Sequence, residues 1–178
     1  MYNKRISEII VLWKADKKQY VKKSTFSEYT LLIENHLQPC FGDKLTIEEI
    51  DVQNFVFQKL EAGLSHKTVK DMLIVLKMIL KFGAKNKWLI YTPLEIRFPT
   101  EREKHNIEVL SRSDQKKIMI YIQEHFTFRN LGVYICLSSG VRIGEVCALT
   151  WEDIDTDKGI ISVNRTIQRI YVIEEGIR

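Results

Sequence analysis

The sequence predicts a mainly α-helical protein with a small β region towards its C-terminal end. Apolar residues recur at helical spacing through most of residues 6–150. After residue 159 the pattern changes, and Ile, Val, Thr and Tyr become frequent, which is typical of β-strands. The composition, 45% hydrophobic and 28% charged, is that of a core-forming chain, so we expect the protein to fold.

Two amphipathic helices are predicted at the beginning of the chain. The first lies in residues 5–21, RISEIIVLWKADKKQYV, and the second in residues 24–37, STFSEYTLLIENHL. In both, the apolar side chains fall on one face at helical spacing. Because proline lacks a backbone N–H, we expect Pro39 to end the second helix.

Two further helices complete the predicted first half of the chain. Asp51 is placed to cap the start of a helix that extends to Ala62, and Gly63 is placed to end it. Ser65 can then cap a long helix that reaches about Lys87. The first half therefore contains about four helices.

A polar stretch separates the two halves. The helical pattern ends around Thr92 and Pro93, and the following RFPTEREKHN is charged and nearly free of apolar residues. We therefore expect a helical domain over residues 1–98, a linker over residues 99–106 and a second domain over residues 107–178.

The second half is predicted to begin with two helices. Ser111 and Asp114 have the spacing of a capping box, which favours a helix ending near His125. The segment FRNLGVYICLSS, residues 128–139, predicts a buried helix, and Gly140 breaks it.

A short helix, a turn and a β region follow. The helix is expected within RIGEVCALT, residues 142–150, and the turn in WEDIDTDKG, residues 151–159. Residues 159–175, GIISVNRTIQRIYVIEE, predict two strands of a hairpin or meander.

Composition also bounds the class of protein. No apolar run approaches the ~18–20 residues that span a bilayer, and the start MYNKRISEII does not resemble a secretory signal, so we expect a cytoplasmic protein. Cys40, Cys136 and Cys147 lack metal-type spacing, and we interpret all three as structural. We expect no metal site and no cofactor.

The net charge of +4 is distributed unevenly along the chain. Residues 1–105 carry 18 Lys and Arg against 13 Asp and Glu, whereas residues 106–178 carry 9 against 10. A basic first half is a mild indication of a nucleic-acid partner or an anionic surface.

The strongest charge pattern is on the long helix that Ser65 caps. Projected at 100° per residue, five lysines fall within about 80° of arc; they are Lys67, Lys70, Lys77, Lys81 and Lys85. The opposite face is apolar. A solvated surface would usually mix glutamates with lysines, because opposite charges at i,i+4 stabilise a helix, so a face of one sign favours contact with a polyanion such as DNA. Thr68, in the first turn, is included among the candidate DNA-binding residues. A merely solubilising lysine face stays open as the alternative.

A second candidate site surrounds Arg142. Gly140 can adopt a left-handed backbone, Gly144 permits close packing, and Glu145 follows Arg142 by three residues. A guanidinium beside the start of a short helix suits a phosphate group. The residues alone equally permit an ion pair between Arg142 and Glu145 that holds the turn, and without further information this is the favoured interpretation.

The block SSGVRIGEVCALTWEDID resembles the first conserved box of the tyrosine recombinases, the phage integrase family. That box has the pattern T-G-[LM]-R-[IP]-[GS]-E-x-x-x-L-x-W-x-D-[IV]-D. The matching residues are Gly140, Arg142, Glu145, Leu149, Trp151, Asp153 and Asp155, while Ser139 replaces threonine and Val141 replaces leucine. The segments EVLSRSDQKKIM and LSHKTVKDMLIVLKMILKFGAKNKWLIYTPLE also resemble the family, with Thr92 in place of the usual asparagine. The resemblance covers residues 5–178.

The resemblance implies a fold, a partner and a role for Arg142. The fold would be a helical SAM-like core-binding domain followed by the first part of an α+β catalytic domain, which begins with helices and a β-hairpin. The partner would be double-stranded DNA, on which full-length relatives assemble as tetramers, with no membrane and no small-molecule cofactor. Arg142 would hold the scissile phosphate during site-specific recombination or integration of a mobile element, and Glu145 would support it.

The family's remaining catalytic groups cannot be placed in these 178 residues. None of His36, His66, His105 and His125 is followed by arginine three residues later, so no H-x-x-R exists. Tyr171 lies too close to Arg142 in sequence to be the nucleophile. We therefore expect this polypeptide to bind DNA without cleaving it. A non-catalytic helical DNA-binding regulator and a helical protein-interaction module remain as alternatives.

Overall fold

The computed structural model describes residues 4–100 and 108–171, which divide into two compact units. The first unit contains the helices up to residue 85, and the second contains those from residue 112 onwards. No helix in the described ranges is both long and apolar enough to cross a membrane.

The first unit is a helical bundle. Its elements are α1 (Ile6–Lys17), α2 (Lys23–Leu32), a π-helical turn (Ile33–Leu37), α3 (Gln38–Phe41), α4 (Glu49–Glu61) and α5 (His66–Lys85). The apolar face of α5 lies at the centre and contacts α1, α2, α4 and the π-helical turn. The core combines this face with apolar side chains of those elements, including Ile9, Leu37, Phe41, Val56, Met72 and Ile79.

Pro39 does not end the second helix, contrary to the prediction from sequence. The π-helical turn before it changes the hydrogen-bond register, and the Gln38 N–H donates to the carbonyl of Ile33, five residues back. Proline ordinarily clashes with the carbonyl four residues earlier, and a wider turn relieves that contact. The chain therefore stays helical through Pro39 to Phe41.

The boundaries of α4 and α5 show the local effect of capping. α4 begins at Glu49, two residues before the predicted start, and the Asp51 carboxylate accepts the N–H of Glu48 at 3.0 Å. Gly63 ends this helix with a positive φ of 85°, as predicted. Ser65 caps α5 as predicted, since its hydroxyl oxygen accepts the Thr68 N–H at 3.1 Å.

The second unit holds three helices in its described part, followed by a short hairpin. These elements are α6 (Arg112–Glu124), α7 (Phe128–Ser139), α8 (Ile143–Val146), a 3-10 turn (Trp151–Asp153), β1 (Ile154–Asp155) and β2 (Ile160–Ile161). The strands pair antiparallel, with Ile154 opposite Ile161 and Asp155 opposite Ile160. Ser111 caps α6 by accepting the Asp114 N–H at 3.1 Å, as the capping-box spacing predicted.

Two expectations for this unit were wrong. The hairpin joins residues 154–155 to residues 160–161, and the described residues 162–171 form no strand. α7 lies where predicted, but none of its side chains is buried, and Phe128 is 86% exposed. The reason is that α6 and α8 are the elements that chiefly pack against α7 in the described part of this unit, which leaves much of its apolar surface uncovered.

Candidate nucleic-acid interface

One face of α5 carries the predicted row of lysines. Lys67, Lys70, Lys81 and Lys85 are exposed, and Lys77 is half-buried. The other face of the helix is packed into the bundle core, so the helix cannot rotate to hide these charges. The first unit therefore presents a fixed basic surface about five turns long.

Aromatic side chains border this lysine row. The Lys70 ammonium lies 5.3 Å from the centre of the Phe98 ring, and the Lys81 ammonium lies 5.9 Å from that of Tyr91. The segment that carries both rings is held on α4, because the Gln53 side chain makes two hydrogen bonds with the Arg97 backbone, at 2.9 and 3.0 Å. Cation–π contact of this kind orients an ammonium without neutralising its charge.

Thr68 is tied to the start of α5. Its backbone N–H and its hydroxyl both contact the Ser65 hydroxyl, at 3.1 and 2.8 Å. The side chain is half-buried. Thr68 thus has a local capping role, which it can combine with a phosphate contact only through the remaining hydrogen-bonding capacity of its hydroxyl.

Ile74 belongs to this surface and was missed in the sequence reasoning. It is 55% exposed, although it sits in the middle of the most buried helix of the chain. The same projection that aligns the lysines places Ile74 within their arc. The signal was present in the sequence, but Ile74 was placed neither with the lysines nor with the apolar face.

Arg142 is exposed at the N-terminus of α8. The preceding Gly140 ends α7 in the left-handed region, with φ of 73°, as its position predicted. The Arg142 side chain is 86% exposed, and its guanidinium lies 3.3 Å from the Glu145 carboxylate. The ion pair expected from the residues alone is therefore formed, while most of the guanidinium stays open to solvent.

Glu145 fixes the backbone at the same point. Its second carboxylate oxygen accepts the Arg142 backbone N–H at 2.9 Å, which closes the first turn of α8. One carboxylate thus contacts both the backbone and the side chain of Arg142. The backbone contact fixes Arg142 at the start of α8, while the guanidinium itself stays mostly exposed.

The chain after the hairpin crosses directly over α8. The Ile167 N–H donates to the Gly144 carbonyl at 2.8 Å. A Cβ atom on Gly144 would lie 2.7 Å from the Thr166 hydroxyl and 2.9 Å from the Ile167 carbonyl oxygen. Gly144 is required by this close approach, which confirms the packing role predicted for it.

A compact polar cluster anchors the same crossing. The Arg165 guanidinium donates to the Asp153 carboxylate at 2.5 Å and to the Thr150 hydroxyl at 2.8 Å. The Asp153 side chain is only 9% exposed. Hydrogen bonds from Arg165 and from the Thr150 N–H and hydroxyl lower the pKa of Asp153 to about 2. Arg165 was not identified from sequence, because nothing in the pattern of residues 159–175 marks it as the partner of Asp153.

The remaining residues considered from the sequence are Tyr171 and the three cysteines. Tyr171 is 73% exposed and lies outside any helix or strand. In the ranges that the structure describes, no group of His, Cys, Asp and Glu is arranged to hold a metal ion. Cys40 and Cys136 are half-buried, whereas Cys147 is exposed rather than buried.

Comparison with known proteins shows what this chain resembles. Residues 6–60 match the family described as phage integrase, N-terminal SAM-like domain. This chain is a relative of the phage integrases. The matched span runs from the start of α1 almost to the end of α4, so the helical first unit contains the SAM-like domain that the resemblance implied.

Curated relatives extend the likeness beyond that domain. A protein named "Tyrosine recombinase XerC-like" from Caldanaerobacter subterraneus subsp. tengcongensis is 27% identical over 164 residues, which is 86% of this chain and 41% of the relative. The "Putative defective protein IntQ" of Escherichia coli K12 is 26% identical over 182 residues, covering 92% of this chain and 44% of the relative. The chain thus spans less than half the length of these curated relatives.

Solved structures show the same fold. The Tn1549 transposon integrase in complex with a circular intermediate DNA superposes with a TM-score of 0.76 at 19% identity, over 97% of this chain and 55% of that one. The same integrase in complex with transposon right end DNA gives a TM-score of 0.73 at 20% identity, with the same coverage. The mainly helical architecture with its small hairpin is therefore shared with part of the Tn1549 integrase.

Proposed function

We propose that this chain is the DNA-binding front part of a tyrosine recombinase, that it contributes to site-specific recombination or integration of a mobile element, and that the 178-residue polypeptide binds duplex DNA without cleaving it. The observation that carries the proposal is the lysine row on α5, a basic surface of one sign fixed by a buried opposite face.

The geometry of the lysine row suits a phosphate backbone. Lys67 and Lys85 are separated by 18 residues, so the row extends about 27 Å along the helix axis. A B-DNA major groove is about 12 Å wide and admits a helix, so the two ends of the row reach phosphates on both sides of one groove. Contacts of this type give affinity that falls with salt and fix the position of the protein on DNA.

Arg142 supplies a second phosphate contact in the proposal. Its guanidinium is exposed, permanently charged and held at its base by Glu145. A planar fork of donors matches two oxygens of one phosphate. In a complete active site such a contact stabilises the charge that develops on the phosphate while a nucleophile attacks it.

Binding without cleavage follows from the residues that accompany Arg142. The sequence of 178 residues contains no H-x-x-R, and Tyr171 is only 29 positions from Arg142. An arginine stabilises a phosphate transition state but supplies neither the nucleophile nor the proton transfer that strand cleavage needs. The proposed domain organisation places DNA binding in residues 1–98 and the Arg142 site in residues 107–178. The linker between them is residues 99–106, of which 101–106 lie outside the described residues.

The proposal is tested by the salt dependence of binding to duplex DNA. We expect the apparent association constant, measured by fluorescence anisotropy, to fall steeply between about 50 and 200 mM salt. Reversing Lys70, Lys77 and Lys81 to glutamate should weaken binding at every salt concentration. It should also lower the slope of log K against log salt by about 2–3, because each phosphate contact contributes about 0.9.

A matched control distinguishes the effect of where the lysines lie from the effect of net charge. Lys18, Lys22 and Lys23 are exposed and lie outside α5, so the triple reversal K18E/K22E/K23E changes net charge by the same amount. We expect this control to lose much less affinity than the α5 triple variant. Equal losses would contradict a dedicated α5 surface, and salt-independent or absent binding would favour the protein-interaction module instead.

The cleavage part of the proposal has its own test. A nicked suicide duplex traps a covalent protein–DNA adduct when a recombinase tyrosine attacks, and the adduct survives denaturing electrophoresis. We expect no adduct from the 178-residue chain under conditions in which it binds the same duplex. An adduct abolished by Y171F would refute the proposal that binding occurs without cleavage.

A further inference from the structure

Ile74 occupies an unusual position at the centre of the lysine row. Four of the residues that neighbour it at helical spacing are lysines: Lys70 at i−4, Lys77 at i+3, Lys67 at i−7 and Lys81 at i+7. The half-buried Asp71 at i−3 and Met78 at i+4 border the row on one side. Ile74 itself is 55% exposed. An apolar side chain thus lies among lysines, on the surface where the proposed function places DNA.

The bundle core does not account for this exposure. The core-facing positions of α5 are fully buried; Met72 and Ile79 are 0% exposed and Val75 and Leu76 are 1% exposed. More than half of the Ile74 side chain is exposed to solvent, so it adds little to the apolar burial that holds α5 in the bundle. A lysine or glutamine would serve as well there for folding and solubility.

The surrounding charge restricts what Ile74 can contact. An apolar protein partner would have to bring its own surface against lysines on both sides of the isoleucine, and desolvating those ammonium groups is costly. A DNA duplex matches both features. Its phosphates receive the lysines, and in the major groove the edges of the bases are polar except for the 5-methyl group of thymine.

We propose that Ile74 is a specificity-determining residue that contacts the 5-methyl group of thymine when α5 lies in the major groove. The inference rests on the proposed DNA-binding function and deepens it. The lysines bind phosphates whatever the sequence, whereas Ile74 favours a thymine at one or two positions of the site. The lysines then supply most of the affinity, and Ile74 supplies the preference for thymine.

The test removes the 5-methyl group of thymine from the DNA and the side chain beyond Cβ from Ile74. Duplexes are selected from a random pool with the wild-type chain, and each thymine of the selected site is then replaced singly by deoxyuridine, which lacks the 5-methyl group. We expect one or two replacements to weaken binding about fourfold, since one buried methyl or methylene is worth about that factor. I74A should bind the thymine duplex more weakly and be insensitive to the same replacements.

A control variant tests whether truncating any exposed isoleucine has the same effect. Ile50 on α4 is 59% exposed and lies outside the lysine row, so I50A removes the same atoms from a different surface. It should keep the wild-type response to deoxyuridine. Circular dichroism of both variants should match the wild type, because each replaces an exposed helix residue by alanine, a stronger helix former.

The outcomes separate the role of Ile74 from the proposed DNA-binding function. A methyl effect lost only in I74A supports the inference. Salt-dependent binding without a selected sequence, or a methyl effect that persists in I74A, overturns the role of Ile74 and leaves the proposed function standing. Absence of salt-dependent binding overturns the proposed function itself and the inference with it.

Discussion

Replacing Gly144 by alanine should destabilise the second unit at the point where Arg142 is held. A Cβ atom there would lie 2.7 Å from the Thr166 hydroxyl and 2.9 Å from the Ile167 carbonyl oxygen, well inside van der Waals contact. One of these two atoms belongs to the backbone, so a rotamer change cannot relieve the overlap. The crossing segment has to move away from α8.

Two effects destabilise the Gly144→Ala variant, and a third offsets part of the loss. Overpacking of this kind costs about 1–3 kcal/mol, and the displaced segment also loses the 2.8 Å hydrogen bond from the Ile167 N–H to the Gly144 carbonyl, worth about 1 kcal/mol. The better helix propensity of alanine returns at most about 1 kcal/mol. We expect a net loss of about 2 kcal/mol in the stability of this crossing.

Amide hydrogen exchange measures this loss locally, without requiring the two units to unfold together. A loss of about 2 kcal/mol corresponds to about 30-fold faster exchange of the Ile167 amide. Gly132→Ala is the matched control, because its Cβ would meet only one side-chain atom, Val146 Cγ1, at 3.8 Å. That variant lies inside α7 and should leave the Ile167 amide unchanged. Unchanged exchange in Gly144→Ala would refute the close approach of this segment to α8.

Three further changes test other parts of the structure. Ser65→Ala removes the oxygen that accepts the Thr68 N–H and should cost about 1 kcal/mol in urea unfolding; no loss would show that the α5 cap is not formed in solution. Ile79→Ala empties a fully buried core position and should cost about 2–5 kcal/mol in the same assay, so a loss below about 1 kcal/mol would contradict the core assignment. The pKa of Asp153 is lowered from 3.8 to about 2, so its contribution to stability is present above about pH 4 and is lost as the pH falls towards 2. Arg165→Met should weaken this acid dependence, measured as amide exchange of residues 160–167 between pH 4 and pH 2, while the Thr150 hydrogen bonds retain part of it. An unchanged profile would contradict the ion pair.

The sequence determined the elements of the first unit because local signals agree there. α5 was predicted from Ser65 onwards, since a hydroxyl cap and an apolar stripe of period 3.6 both depend on neighbouring residues alone. The lysine row followed from the same projection. The Arg142 turn was predicted because glycine conformation and the spacing to Glu145 are also local, and both appear in the structure.

The structure alone decided features that neither apolar periodicity nor capping residues indicate. Pro39 stays within a helix because a π-helical turn shifts the hydrogen-bond register before it. The pairing of Arg165 with Asp153 depends on how the chain after β2 crosses α8. Periodicity identifies the side of a helix that is apolar, but burial and ion pairing depend on the surfaces that other segments bring against it.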